Sequence, residues 1–366
     1  MIMSVLVRGH SSDPANPVLE LFTPWRGRLS DAAAITYQIY DLSDDAKRAQ
    51  PVQVFPDAPG VRAPVLAGDR LGTGHVVARW TVPRDQPVGL HEVRWSVEQT
   101  PDAPARSRAL AFDVVSEGAP SLRGGYTLVS ELRAEGVTEA DADDRRLVQR
   151  IRLASAYVDR ATDRFFEPRA MSLVLDGSGG RAQLVGHPII AIHDARMSLA
   201  MPAEVGELPV DPSFFRVYSR HLTQGLLDPD DRENPRLEFF HESDLFGVSS
   251  SPAASLGLGS LIWSCGPQNV LIDGVFGYTD PDGSPTGRTP ELIEHVTKLL
   301  VLRELPAMTA LASREERQKR WRLVSERTRD QGYNLEPLRA QGPLTGDPEV
   351  DGILVAYQRQ PQLGSA

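Results

Sequence analysis

A change of hydrophobic period near residue 120 constrains this chain more than any other feature. From Asn16 to about Val115 apolar residues recur at every second position. Ile35, Tyr37 and Ile39 alternate with Thr36 and Gln38, and Val93, Trp95 and Val97 alternate with Glu92, Arg94 and Ser96. Leu110, Phe112 and Val114 share one face of a later segment. Runs of this kind, broken by Pro, Gly and Asp turns, require half-buried antiparallel strands. Six or seven such segments in roughly 100 residues predict a β-sandwich. Trp80 to Trp95 is punctuated by Pro83, Pro87 and Gly89, and no Cys–Trp–Cys signature occurs.

Ser116 to Gly125 is punctuated by Gly and Pro and reads as a linker. Beyond it the period becomes helical. Thr138 is placed to cap a helix with Glu139 and Asp141 in its first turn. Arg145, Arg146, Arg150 and Arg152 follow, an order that suits the helix dipole. Leu147, Ile151, Ala154, Tyr157/Val158, Ala161 and Phe165 form one buried stripe, with Pro168 as the stop. Met171–Asp176 and Ala182–Val185 flank Gly177-Ser178-Gly179-Gly180, a hairpin signal. Further strands are expected at Phe214–Tyr218, Leu237–Phe240 and Val270–Phe276. Thr289-Pro290 opens another helix with Leu292, Ile293, Val296, Leu299 and Leu300 on its apolar face.

A polar helix is expected from Ser313 to Asp330, with Glu316 completing a capping box. It carries Arg314, Arg317, Arg320 and Arg322 but few apolar residues beside Trp321, so it is either solvated or packed on another chain. Residues 341–366 are rich in Pro and Gly and read as an extended tail. Their one apolar run is Ile353 to Tyr357. The expected class is therefore α+β and multi-domain. An antiparallel sandwich, which over Trp80 to Trp95 resembles the immunoglobulin-like modules of bacteria and phages, fills 1–117, a linker 118–125, a helical domain 126–340 with a β-rich insertion at about 171–280, and the tail 341–366.

The 366 residues carry a net charge of −10, which argues against gripping nucleic acid by counterion release. No apolar run reaches the roughly 18 residues of a membrane span, and Met1–His10 lacks a secretory pattern. The single cysteine, Cys265, follows Leu261-Ile262-Trp263 and is expected to be a half-buried, inert thiol in a chain made in a reducing cytosol.

No constellation for chemistry emerges. His91-Glu92 and His241-Glu242 begin like a zinc-protease motif, but Trp95 and Leu245 stand where the second histidine belongs. Asp280-Pro281-Asp282-Gly283-Ser284 resembles half a calcium loop, with its glycine too early. Asp228, Asp230 and Asp231 form an acidic loop, and His187 and His193 have no metal spacing. Neither cofactor nor enzymatic activity is expected.

Three stretches come in a suggestive order: Tyr126-Thr127-Leu128-Val129-Ser130-Glu131-Leu132, the acidic turn Asp141–Asp144, and Ile151 to Asp159 leading into Ala161-Thr162-Asp163-Arg164-Phe165-Phe166-Glu167-Pro168. Phe276-Gly277-Tyr278, Thr289 to Ile293, Ser325-Glu326-Arg327, Gly332-Tyr333-Asn334 and Thr345 to Tyr357 continue the series. Together they resemble the gp6-like head–tail connector (adaptor) family of tailed bacteriophages, over roughly residues 126–358. Members are usually small and helical, so the long β-rich insertion is a departure. The resemblance implies a virion protein assembled in the host bacterial cytoplasm and working at the head–tail interface. It would form a ring, typically of twelve subunits, docked under the portal protein and contacting the next connector, stopper or tail protein. DNA would pass through the lumen without sequence-specific binding, and no membrane would be involved. Arg314, Arg317, Arg320, Trp321, Arg322, Ile353, Leu354 and Tyr357 would then be subunit or portal contacts. A baseplate or fibre-attachment protein using the immunoglobulin-like module for adhesion is the alternative. A hydrolase with an accessory sandwich is the third reading.

Overall fold

The computed structural model describes residues 3–25, 27–198, 208–211, 214–218, 231–239, 262–304, 325–327, 332–334, 344–345 and 347–359. The chain is mixed α+β, with several sheets and more strand than helix. The largest N-terminal sheet runs in the order Ser4–Val7, Arg106–Val115, Gly89–Glu98, Ala34–Asp41, Val52–Phe55. Its register sets Trp95 opposite Tyr37 and Val93 opposite Ile39. The expected alternation is therefore real: Ile35, Tyr37, Ile39, Val93, Trp95, Val97, Phe112 and Val114 all enter one core. Residues of a second, three-stranded sheet (Glu20–Phe22, His75–Val77, Arg70–Gly72) supply Leu21 and Val76 to the same core. One pairing departs from the antiparallel expectation, because Ser4–Val7 lies parallel to Arg106–Val115. All four residues of that strand are buried, so it shows no alternation to read.

The stretch after Val115 is bonded to the sheet. Val5 and Leu122 exchange backbone hydrogen bonds of 2.8 and 3.1 Å, and Ala119 and Leu122 are buried. The next sheet takes Arg169–Gly177, Gly266–Phe276 and Ile189–Met197, and then the short strands Arg28–Leu29 and Pro24–Trp25 from the N-terminal region. The Ile192 N–H donates to the Gly27 carbonyl at 3.0 Å, and Phe22 packs with Ile190 and Val275. The expected hairpin around Gly177–Gly180 is not one. Arg169–Gly177 pairs with Gly266–Phe276, whereas Ala182–Leu184 pairs with Arg236–Phe239 in a separate three-stranded sheet. The turn passes the chain between sheets because the Asn269 side chain takes the Gly177 N–H and closes the ladder there. Cys265 is exposed rather than half-buried, since the core residue of its run is Trp263, packed on Phe239 with ring centroids 4.7 Å apart.

Five helices complete the described fold: α1 (Asp45–Ala49), α2 (Val129–Ala134), α3 (Asp144–Thr162), α4 (Glu291–Glu304) and α5 (Pro348–Tyr357). Helix α3 begins later than the sequence suggests. Asp143 is its cap, accepting the Arg146 N–H, while Thr138 is spent on a local turn with Asp141. It ends at Asp163 in the left-handed conformation, before Pro168 is reached. The larger correction concerns the tail, where described residues 347–359 carry a helix and not an extended chain. Asp347 caps α5 by accepting the Glu349 N–H, Pro348 occupies the first turn, and Val350 and Leu354 are buried. The apolar run supplies a helical face, which the period of five residues could not reveal. Most of the polar helix expected at Ser313–Asp330 lies outside the described residues. Its far end is a strand, with Ser325–Arg327 paired antiparallel to Gly332–Asn334.

Candidate assembly surface

Helices α3, α4 and α5 pack on one another around a polar–aromatic node. The node is built by segments far apart in sequence. After α3 ends, Phe166 turns inward and meets Tyr126, Tyr278 and Tyr357 edge-on, with centroids 5.7, 5.9 and 5.5 Å away. Such T-shaped contacts add roughly 0.5–1.5 kcal/mol each beyond burial. The Tyr126 hydroxyl donates to Asp159 on α3 and accepts the Phe166 N–H at 3.0 Å. Arg169 donates to Asp159 at 2.8 Å and to Glu167 at 2.9 Å. Thr289, just before α4, donates to the Phe166 carbonyl at 3.0 Å.

Burial dominates the electrostatics of this node. It raises the Glu167 carboxyl to about 7 despite Arg169, and it pushes the Tyr126 hydroxyl well above its ordinary value. Glu167 Oε2 has no hydrogen-bond partner. A Cβ on Gly124, whose φ is +69°, would strike that carboxylate, so the chain needs glycine there. The node ties α3, α4 and α5 together around Phe166, Tyr126, Tyr278 and Tyr357.

Other groups singled out from sequence do not converge. His91 is fully buried, with Nε2 2.9 Å from Gln86 Nε2. His187 stacks on Phe165, while His193 is exposed on a strand. Asp280 pairs with Arg232 at 2.9 Å. His241, Asp228 and Asp230 lie outside the described residues. Among the described residues no group of three or more His, Cys, Asp or Glu could hold a metal, and no helix is long and apolar enough to cross a membrane. A 620 Å³ cleft lies between Arg106–Leu110 and Asp282–Thr286, where Arg108 gives one N–H to the Phe22 carbonyl at 2.8 Å.

The chain matches no family model, no curated protein and no solved structure. Arg314, Arg317, Arg320, Trp321 and Arg322 lie outside the described residues. Leu354 is fully buried in its own chain, and Ile353 and Tyr357 are half-buried against the same node.

The outward faces of the helices carry further candidate residues. On α3, Arg145, Gln149, Arg152, Leu153, Ala156 and Arg160 are exposed along one stripe, opposite the buried Leu147, Ile151, Ala154 and Val158. Leu153 is 60% exposed and borders a 560 Å³ groove shared with Tyr157 and Leu300. On α5, Glu349, Gly352, Val355 and Ala356 are exposed, Val355 by 57%, and Leu292, expected on the apolar face of α4, is 51% exposed, because the buried face is centred on Ile293 and Val296. Leu153 could have been noticed as a leucine off the buried stripe of an otherwise arginine-rich face. Val355 could not, because the tail was not read as helical.

Proposed function

We propose that this protein is a head–tail connector of a tailed bacteriophage, a non-enzymatic virion component working through its interfaces. Its subunits form a ring, typically of twelve, between the portal protein and the next connector, stopper or tail protein. The ring is assembled in the bacterial cytoplasm and prolongs the channel through which DNA slides. The N-terminal sheets are read as an immunoglobulin-like sandwich, closed over Trp95, that decorates the ring.

One observation carries this reading. The segments that resemble the gp6-like family, around Tyr126, Asp159–Pro168, Tyr278, Thr289–Ile293 and Thr345–Tyr357, meet in one helical node although up to 231 residues separate them. The β-rich insertion leaves from Arg169 and returns at Phe276, positions paired side by side in the sheet, so it interrupts the node in sequence and not in space. The net charge of −10 suits a channel that does not hold DNA.

The test is direct. Purified protein imaged by negative-stain microscopy should show rings of about twelve subunits, and it should bind portal-bearing heads lacking tails. A monomer or trimer that adheres to cells or glycans would replace this reading with the fibre-attachment one.

A further inference from the structure

The strand Arg106–Val115 has one unfinished edge. Gly89–Glu98 pairs with it from Arg106 to Val114, but Ser4–Val7 covers the other side only from Phe112 to Val115. The Arg8 N–H donates to the Val115 carbonyl, so odd-numbered residues of the strand turn their main-chain groups to the Ser4–Val7 side. Ser107 and Ala109 therefore each point an N–H and a carbonyl past the start of Ser4–Val7, and no described residue bonds to them. Both are exposed, and both line the 620 Å³ cleft. Glu20–Phe22, on another wall, is the outer strand of its three-stranded sheet. The Leu19 carbonyl and the Thr23 N–H bond inward to Ala78 and Gly74, so Phe22 turns its main chain outward, where its carbonyl takes Arg108. The remaining rim is Pro168 and the turn Asp282–Thr286, held by the Ser284 N–H on Asp282 and the Gly287 N–H on Ser284.

Charge in the cleft is unbalanced. Glu20 already holds Arg123 at 2.7 Å and His75 at 3.1 Å. Arg108 gives one N–H to Phe22 and has no ion pair with a described residue, and Arg106, over the Trp25 ring at 5.2 Å, has none either. Burial brings the Arg108 guanidinium down to about 10, with Asp282 across the cleft opposing the fall and Arg106 adding to it. Two unpaired guanidinium groups thus stand against one carboxylate outside an ion pair, that of Asp282. We infer that this cleft takes an extended acidic peptide of a partner protein, which adds as a strand along Ser107–Ala109 and sets a carboxylate on Arg108. Alternating N–H and carbonyl groups on an open edge are matched by the main chain of another strand and not by a small anion. A guanidinium with unused donors in a planar fork matches a carboxylate through two parallel bonds. A second copy of the same strand fits poorly, because it would bring Arg106 and Arg108 against their own counterparts. The surface goes beyond the ring reading and does not depend on it.

The full-length protein is titrated into a fluorescein-labelled peptide of alternating valine and glutamate, with a valine–lysine peptide and glutarate alone as comparisons. The acidic peptide should bind, raising the anisotropy, and should slow amide exchange at Ser107 and Ala109. Ala109→Pro removes only an outward N–H and leaves the bonds to Gly89–Glu98 in place. Arg106→Glu reverses an exposed charge. Each variant should weaken the acidic peptide at least tenfold while keeping the wild-type melt. If Ala109→Pro lowers the melt, Arg106→Glu and the exchange at Ser107 and Ala109 decide the matter. Glutarate that displaces the peptide, with Ala109→Pro leaving its affinity unchanged, would make this a small-anion site and overturn strand addition. Equal binding of the lysine peptide, or no binding of the acidic one at about 1 mM, would refute the inference. Self-association lost in Ala109→Pro, with no peptide bound by the wild type, would give the edge to a second copy and likewise overturn it.

Discussion

Asp113 stands on the outer side of the Arg106–Val115 strand, sealed beneath α2, where one carboxylate oxygen accepts the Ser130 N–H at 3.0 Å and the other has no partner. Burial lifts its carboxyl from the usual range to about 6. The folded protein therefore holds a proton on Asp113 that the unfolded chain has released between about pH 4 and pH 6. Stability must fall as pH rises through that window and level off above it. Glu167, raised to about 7, extends the same trend upward. Asp113→Asn should flatten the lower part of this slope and gain about 2 kcal/mol at pH 7, read from urea midpoints at pH 4 and pH 7. An unaltered slope would remove Asp113 from the account. At the node, Tyr126→Phe strands the buried Phe166 N–H and takes a donor from Asp159. It should cost about 1–3 kcal/mol, measured by denaturation, with no change in oligomer size below the melting transition.

At the scale of elements, α5 is the informative case. Its Leu354 and Val350 fill the space between α3 and α4, and Arg359 beyond it donates its N–H to the Thr162 carbonyl at 2.8 Å. Leu354→Ala should cost about 2–5 kcal/mol, as for other buried leucines, while Val355→Ala on the outer face should change the melt little. Removing residues 346–366 should uncover Phe166 and Tyr278 and give a destabilised chain that binds a hydrophobic dye. A truncated chain with a wild-type melt would contradict the packing. The strands of the N-terminal sheet were legible in sequence because half-buried strands alternate, and α3 was legible because its stripe spans several turns. The tail was not, since five apolar residues fit a strand or a helix equally, and the deciding signal was the cap at Asp347. The pairing of Gly177–Gly180 was equally hidden: a glycine turn says where the chain bends, not which strand it meets next.

The whole molecule is more interlocked than a chain of separate modules. Pro24–Trp25 and Arg28–Leu29 of the N-terminal region form the edge of the sheet built on Arg169–Gly177, Gly266–Phe276 and Ile189–Met197, and Arg123 reaches back to the buried Glu20 at 2.7 Å, which His75 also contacts at 3.1 Å. A fragment of residues 1–117 would expose Phe22 and Leu29 and lose the Arg123 pair. It should unfold at lower denaturant than the same region in the full chain, when Trp80 and Trp95 fluorescence is followed. The node has a further consequence in time. Tyr126 leaves the ribosome more than 200 residues before Tyr357, yet the two end within one aromatic cluster around Phe166. During synthesis the cluster stays open until α5 has been made and docked. Emergence of α5, not of the first strands, therefore sets the moment at which the helical node can close.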